Sequence, residues 1–306
     1  MLDGVSLDQL RTFVAAADEG SFSAAARRLK RTQSAVSESI ANLEAQLAVT
    51  LFDRSARYPQ LTTQGTVLLA DARSIVGAVD CMKARAKGIA GGIEPELAAV
   101  IDVFFPISTI ADASHAFREQ FPATPLRLNV EALGAAVQPV IDGRASFGLV
   151  GSLPVLPDGL IVERVASVEF VMVAAAKHPL AEYQGVIPSE ELARHVQLVL
   201  TDRSDLTSGR EFGVVSPSTW RLADLFAKHA FLVSGLGWGG MPLHAVAKDI
   251  ADGRLIELSI QDIPPGGLGL PMSAVYRVDA PPGPAGRWMI ERLKQCSIEW
   301  QSKNGR

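Results

Sequence analysis

The stretch that most constrains the fold is residues 21–47, SFSAAARRLKRTQSAVSESIANLEAQL. Two helices are predicted there, about 23–29 and 33–47, joined by Lys30, Arg31 and Thr32. Thr32 suits the N-cap of the second, because its hydroxyl can accept an orphan backbone N–H. Val36, Ile40, Leu43 and Leu47 recur at helical spacing and form one narrow apolar stripe. The opposite face begins with Gln33, Ser34, Ser37, Glu38 and Ala41, mostly short or amide-bearing groups that let a helix sit close to another surface. Two helices crossing sharply, the second polar at its start, make the helix-turn-helix that sets a recognition helix in the DNA major groove. An ordinary helical hairpin shows much the same pattern, so the flanks matter. Upstream, Leu7, Leu10, Phe13, Val14 and Ala17 can close a three-helix core. Downstream, LFDRSARYPQLTTQG has a proline, strand-like ends, and Arg54 and Arg57 at its tip, as expected of a wing that brings arginines to phosphates.

SFSAAARRL, then TQSAVSESIANLE, then LFxRxxRxxxLTxxG resembles the N-terminal signature of the LysR-type transcriptional regulators. Length and layout resemble that family along the whole chain. The resemblance implies an α/β multidomain protein: an N-terminal winged helix-turn-helix, a long linker helix, and a C-terminal effector domain like periplasmic solute-binding proteins. That domain would have two α/β lobes, a cleft between them, and chain crossings near 162–168 and 263–269. The expected divisions are 1–62 for DNA binding, 63–90 for the linker helix, 91–96 for a hinge, 97–163 with 268–302 for one lobe, and 164–267 for the other.

A chain of 306 residues is too long for one ordinary core. No apolar run reaches about 18 residues, so no membrane span is expected. MLDGVSLDQL has neither a basic n-region nor an apolar h-region, so a cytoplasmic location is expected. Cys81 and Cys296 lie far apart; reduced thiols are expected, with a redox pair the lesser alternative. The net charge of −4 does not point to nucleic acid, and residues 1–60 are balanced in charge. What matters is that basic residues cluster at 27–31 and 54–57, where a duplex would pass.

At the DNA, Gln33 and Ser37 are expected at base edges, with Ser34 in close contact. Thr32 caps the helix and can reach a phosphate, while Arg31, Arg54 and Arg57 neutralise phosphates; Arg27 and Arg28 are less firmly placed. Where the family frequently has Arg or Lys after Ser37, this chain has Glu38. An acid facing DNA costs affinity unless it accepts from cytosine N4, so Glu38 is expected to set specificity.

In the linker, Leu61, Gly65, Leu68, Ala72, Ile75, Val79, Met82, Ala86 and Ile89 alternate by four and three, a heptad-like seam. Packing on its own domain is one reading of that helix. Pairing with a second copy through Leu68, Ala72, Ile75, Val79 and Met82 is the reading adopted, and the resemblance implies the same. Two heads on a fixed scaffold would read a palindromic operator. A tetramer through the effector lobes is the further expectation.

Glycines 88, 91 and 92 break that helix, and strands and helices then alternate, which argues for mostly parallel sheets covered by helices. Strands are predicted at 97–104, 126–131, 147–150, 170–175, 197–201, 230–233, 255–259 and 272–277. Helices are predicted at 107–120, 135–142, 189–194, 220–228, 241–252 and 286–296.

For chemistry, neither HExxH nor GxSxG occurs, and His115, His178, His195, His229 and His244 have no metal-ligand spacing. No enzymatic constellation, metal or cofactor is expected. Residues 235–240, GLGWGG, match GxGxxG after a strand-like FLVS, with Glu257 further on, and raise a nucleotide-binding alternative within a solute-binding or enzymatic protein. The family resemblance explains the same residues as a GLGxxxxP segment whose helix start, with Gly237 and Trp238, faces the cleft and an anionic ligand. Ligands of open α/β lobes bind beyond strand carboxyl ends. Effector candidates are therefore Phe105, Pro106 and Ser108 after the first strand, then Ser152, then Thr201, Asp202 and Arg203, then Thr219 and Trp220. Phe104, Phe105 and Trp220 suggest an apolar pocket.

Overall fold

A computed structural model describes residues 4–55, 58–261, 263 and 266–304. The chain divides into two compact units, Met1–Gly88 and Ile89–Arg306.

In the first unit, helix α1 (Leu7–Glu19) starts at a capping box made by Ser6 and Gln9 and stops at Gly20. Helices α2 (Phe22–Leu29) and α3 (Gln33–Leu47) follow, each with a hydroxyl N-cap, Ser21 and Thr32. Val36, Ile40 and Leu43 of the predicted stripe are fully buried, so the face with Gln33 and Glu38 is left outside. Phe13, Phe22 and Phe52 pack edge to face at 5.7 and 5.3 Å and lock the helices to the wing. The wing is an antiparallel pair, β1 (Phe52–Asp53) and β2 (Gln60–Leu61).

Helix α4 (Thr63–Ala90) begins on this core. A Cβ on Gly65 would sit 2.2 Å from the Leu51 carbonyl oxygen, so only glycine lets the helix approach the wing strand this closely. Leu69 and Ala72 are buried in the same core, and Leu68 packs against it. The expected dimer seam is therefore wrong at Ala72. A side chain buried in its own domain's core cannot also face a second copy. Further on, Ile75 (48% exposed), Met82 (63%) and Ile89 (48%) stand open, and Val79 is half-buried.

The second unit is built on one sheet. Its strands are β3 (Leu97–Asp102), β4 (Leu126–Glu131), β5 (Phe147–Val150), β6 (Leu160–Ala175), β7 (Gln197–Leu200), β8 (Thr219–Leu222), β9 (Trp238–Pro242), β10 (Leu255–Glu257) and β11 (Leu268–Arg277). The strand order is β4-β3-β5-β11-β6-β9-β7-β8, with β10 also on β6. Pairs β3–β4, β3–β5, β7–β8 and β7–β9 are parallel. Pairs through β6 and β11 are antiparallel, so the sheet is mixed. Strand β6, of 16 residues, runs through 162–168 unbroken and pairs with β11 along 160–170. Helices α5 (Ile107–Gln120), α6 (Gln138–Ile141), α7 (Ser189–Leu192), α8 (Leu225–Val233), α9 (Leu243–Ala251) and α10 (Pro284–Asn304) accompany the strands. One lobe core gathers around Phe117, Phe147 and Met289, and the other around Trp238, Leu198 and Val246.

Several predicted elements differ. The first strand stops at Asp102, whose side chain turns back to accept the Phe104 N–H at 3.0 Å. Residues 133–136 form a 3₁₀ turn before the short α6, rather than one helix. Residues 219–222 are an edge strand, and the helix begins only after Asp224, which caps it through the Ala227 N–H at 2.7 Å. Residues 230–233 are helical, and 238–242 are strand. Short apolar runs carry no period of their own, and the capping aspartate and sheet pairing decide them.

Candidate nucleic-acid interface and ligand cleft

On α3, Gln33, Ser34 and Glu38 are exposed and Ser37 is half-buried. Thr32 Oγ1 accepts the Ala35 N–H and lies 3.0 Å from Ser34 Oγ. Ser23 Oγ donates to Gln33 Oε1 at 2.8 Å, which ties the start of α3 to α2.

Of the arginines expected at phosphates, Arg31 and Arg54 are already engaged. Arg31 makes a bidentate pair with Asp8 at 2.6 and 2.7 Å, which raises its pKa further. Arg54 donates to Glu44 Oε2 at 2.7 Å and lies 5.5 Å over the Phe22 ring. The other Glu44 oxygen accepts the Leu51 and Phe52 N–H groups at 2.8 and 3.1 Å, so one carboxylate holds both wing and arginine. Arg28 pairs with Asp18 and Glu19, and Arg73 of α4 joins Asp18. Arg57 lies outside the described residues, as does the side chain of Cys81. Asp8 and Glu44 were missed from sequence, because partners 23 and 10 residues away leave no local pattern. Exposed ion pairs are weak because solvent screens them, so a phosphate can displace them.

The second unit encloses a cleft of about 590 Å³ between its lobes. Phe104, Leu133 and Leu153 line it from one side, Met172, Leu200 and Phe212 from the other. Phe104 and Phe170 meet across it at 5.0 Å between centroids.

The candidate effector residues fall in different places. Ser152 borders the cavity, but its hydroxyl is committed: it donates to Asp102 Oδ2 at 2.6 Å and accepts the Leu133 N–H at 2.7 Å. Burial pushes the Asp102 carboxyl up against hydrogen bonds from Ser152, Phe104 and Gly151 that pull it down. Asp202 reaches from one lobe to the other, accepting the Gly134 and Ala135 N–H groups at 2.9 and 3.0 Å. Partial burial pushes its carboxyl up, but hydrogen bonds from Thr207, Ser204 and Ala135 prevail and hold it below the usual range. Arg203 faces Glu131 at 3.8 Å in a separate, shallower recess. Thr201 is half-buried and its N–H donates to the Leu222 carbonyl.

The remaining candidates do not line the cleft. Phe105 is buried in a lobe core; its neighbour Phe104 takes the cleft position, because adjacent residues after the strand point opposite ways. Pro106 is buried as the N-cap of α5, and Ser108 is exposed in the first turn. Thr219 and Trp220 begin the edge strand β8, at its amino end, and Trp220 packs on Phe231. Trp238 is completely buried, its indole N–H donating to the Leu192 carbonyl at 3.3 Å. A Cβ on Gly237 would lie 2.4 Å from the Val196 carbonyl oxygen, so this glycine serves a close backbone approach. The GLGWGG segment follows helix α8 and enters strand β9, the reverse of the strand-turn-helix a dinucleotide site requires. The nucleotide alternative falls with that order.

One residue that borders the cleft was not foreseen. Lys228, within the apolar helix LFAKHAFLV, is 4% exposed and donates from Nζ to the Gly240 carbonyl at 2.7 Å. Burial lowers its pKa to about 7. A lysine inside so apolar a helix was the available signal. Among the described residues no cluster of three or more His, Cys, Asp or Glu could hold a metal, and no helix is long and apolar enough to cross a membrane.

A helix-turn-helix head joined to a two-lobed ligand-binding unit defines a class: one-chain transcription regulators that respond to a ligand. Residues 7–66 match the family described as bacterial regulatory helix-turn-helix protein, lysR family, and residues 98–297 match the LysR substrate binding domain. The chain belongs to the LysR family of transcriptional regulators. Among curated relatives, it is 28% identical over 296 residues to the HTH-type transcriptional regulator AceR of Acinetobacter baumannii, covering 96% of this chain and 98% of that one. It is 28% identical over 257 residues to the uncharacterized regulator YeeY of Escherichia coli, covering 83% of each. Among solved structures, a cysteine-to-serine mutant of Corynebacterium glutamicum OxyR with hydrogen peroxide bound shares the fold, with a TM-score of 0.57, 23% identity, and coverage of 97% of this chain and 96% of that one.

Proposed function

We propose that the chain binds a palindromic operator as a homodimer in the cytoplasm and that a small-molecule effector in the inter-lobe cleft modulates this binding or promoter activation. In this reading α3 enters the major groove, Gln33 and Ser37 meet base edges, and Glu38 selects among bases. Arg31 and Arg54 exchange their carboxylate partners for phosphates, and Arg57 joins them. Two copies pair through the exposed part of α4, and effector lobes pair into a tetramer. Effector binding changes lobe closure, and the free-energy coupling between cleft and operator alters how the two heads are held. The cleft works as a binding site without catalysis, since Ser152 and Asp102 hold each other and nearby backbone.

The observation that carries this reading is the exposed polar start of α3, capped by Thr32 and flanked by arginines in displaceable pairs. Fluorescence anisotropy on the duplex flanking the chain's own gene, across a salt series, tests it. Tight binding with a steep salt slope, weakened by both Gln33→Ala and Arg54→Ala, is the expected result. No preference over random DNA, with both variants unchanged, would refute it.

A further inference from the structure

We propose that the effector is an apolar molecule carrying a single carboxylate, seated in the inter-lobe cleft with its carboxylate on Lys228 Nζ. The proposal rests on the cleft being the effector site. Lys228 is the one charged side chain on the cavity wall among the described residues, and the rest of that wall is dominated by aromatic and aliphatic groups. Among the described residues its Nζ has one hydrogen-bond acceptor, the Gly240 carbonyl, and no carboxylate within ion-pair distance. An ammonium has three N–H donors, so two remain for a ligand. Of the other polar side chains on the wall, Ser273 offers a neutral hydroxyl, and Gln197 and Ser152 are engaged. Gln197 donates to the Gly213 carbonyl and accepts the Val215 and Ser216 N–H groups, and Ser152 is held by Asp102. An apolar cavity with one buried cation selects a ligand of matching shape: an apolar body and one anionic head. A dianion would leave its second charge in apolar surroundings. The cavity volume, about 590 Å³, lies within the range of small-molecule sites.

The same geometry implies proton uptake. Strands β7 and β9, and the Phe170–Ala174 segment of β6 that pairs with β9, carry no titratable side chain; on β8 Trp220 packs on Phe231 of α8, while Arg221 alternates to the other face and pairs with Glu211. On α8 itself His229 is bonded to Asp249, and Asp224 caps the helix start. With its pKa near 7 in the empty protein, Lys228 is largely neutral at pH 8 and takes up a proton when a carboxylate arrives. Affinity for the acid therefore falls as pH rises above about 7 and is flat below, until the ligand's own carboxyl protonates.

Calorimetry on the full chain with hexanoate, octanoate and decanoate, each against its primary amide and alcohol, tests the proposal. The acids should bind about tenfold or more tightly than the amides, the factor expected of one charge-assisted hydrogen bond. Titration at pH 8 in phosphate and in Tris should show net proton uptake. Lys228→Met should lose the acid preference and the proton uptake while still taking the alcohols, which shows that it is folded. Equal binding of acid and amide, no binding by either series, or an acid preference that survives Lys228→Met overturns the proposal. Acid binding that persists unchanged after the cavity is filled by Leu270→Trp places the ligand elsewhere and sinks the cleft reading instead.

Discussion

Single carboxylates hold together parts of this protein that are distant in sequence. Asp202 adds a side-chain link between the lobes: it accepts amides at the 133–136 turn while Thr207 and Ser204 hold it in place. Asp202→Asn keeps the shape but loses charge-assisted acceptance, and should lower the unfolding free energy of the effector unit by about 1–3 kcal/mol in denaturant titration. Glu163 plays a similar part between β6 and α10, where hydrogen bonds from Arg287 and Lys294 lower its pKa from 4.5 to about 2. Its folded pKa is depressed, so the stability it contributes is present above pH 4.5 and lost as pH falls toward about 2. Solvent screens this part-exposed network, so wild type and Glu163→Gln should differ by only about 1 kcal/mol at pH 7 and converge near pH 2 in thermal melts. At the recognition helix, Glu38→Gln should change relative affinities across operator variants. An equal change on every sequence, read by anisotropy, would mean that Glu38 only repels the phosphate backbone.

At the scale of elements, α4 has two parts with different tasks. Its first turns belong to the winged unit through Gly65, Leu69 and Ala72, and its later turns expose Ile75 and Met82. Gly65→Ala should destabilise the winged unit by about 1–3 kcal/mol, the usual cost of overpacking, because the rigid Leu51 carbonyl cannot yield to the new methyl group. Ile75→Glu with Met82→Glu should instead leave the helical circular dichroism intact and halve the mass seen by light scattering. A dimer that survived both charges would place the subunit contact elsewhere.

For the whole molecule, the testable property is reciprocity. An effector that changes operator affinity by some factor must have its own affinity changed by operator DNA by the same factor. Anisotropy with saturating effector and calorimetry with saturating operator should return one number. Unequal factors would show that the two sites are not joined by a single closed equilibrium.

Much of this architecture is legible in the chain itself. The spacing 36, 40, 43, 47 and the Thr32 cap determine α3 and which of its faces is free, since a period of 3.6 leaves no choice of side. Motif order along the chain determines the family and its two-part layout. Tertiary structure alone decided what each candidate side chain meets. It buried Trp238 and Ala72, moved Trp220 to an edge strand, turned Phe104 rather than Phe105 to the cleft, and paired Arg31 with Asp8. It also placed Lys228 on the cavity wall. The reason is physical: periodicity is a local property, whereas burial and pairing depend on segments that only folding brings together.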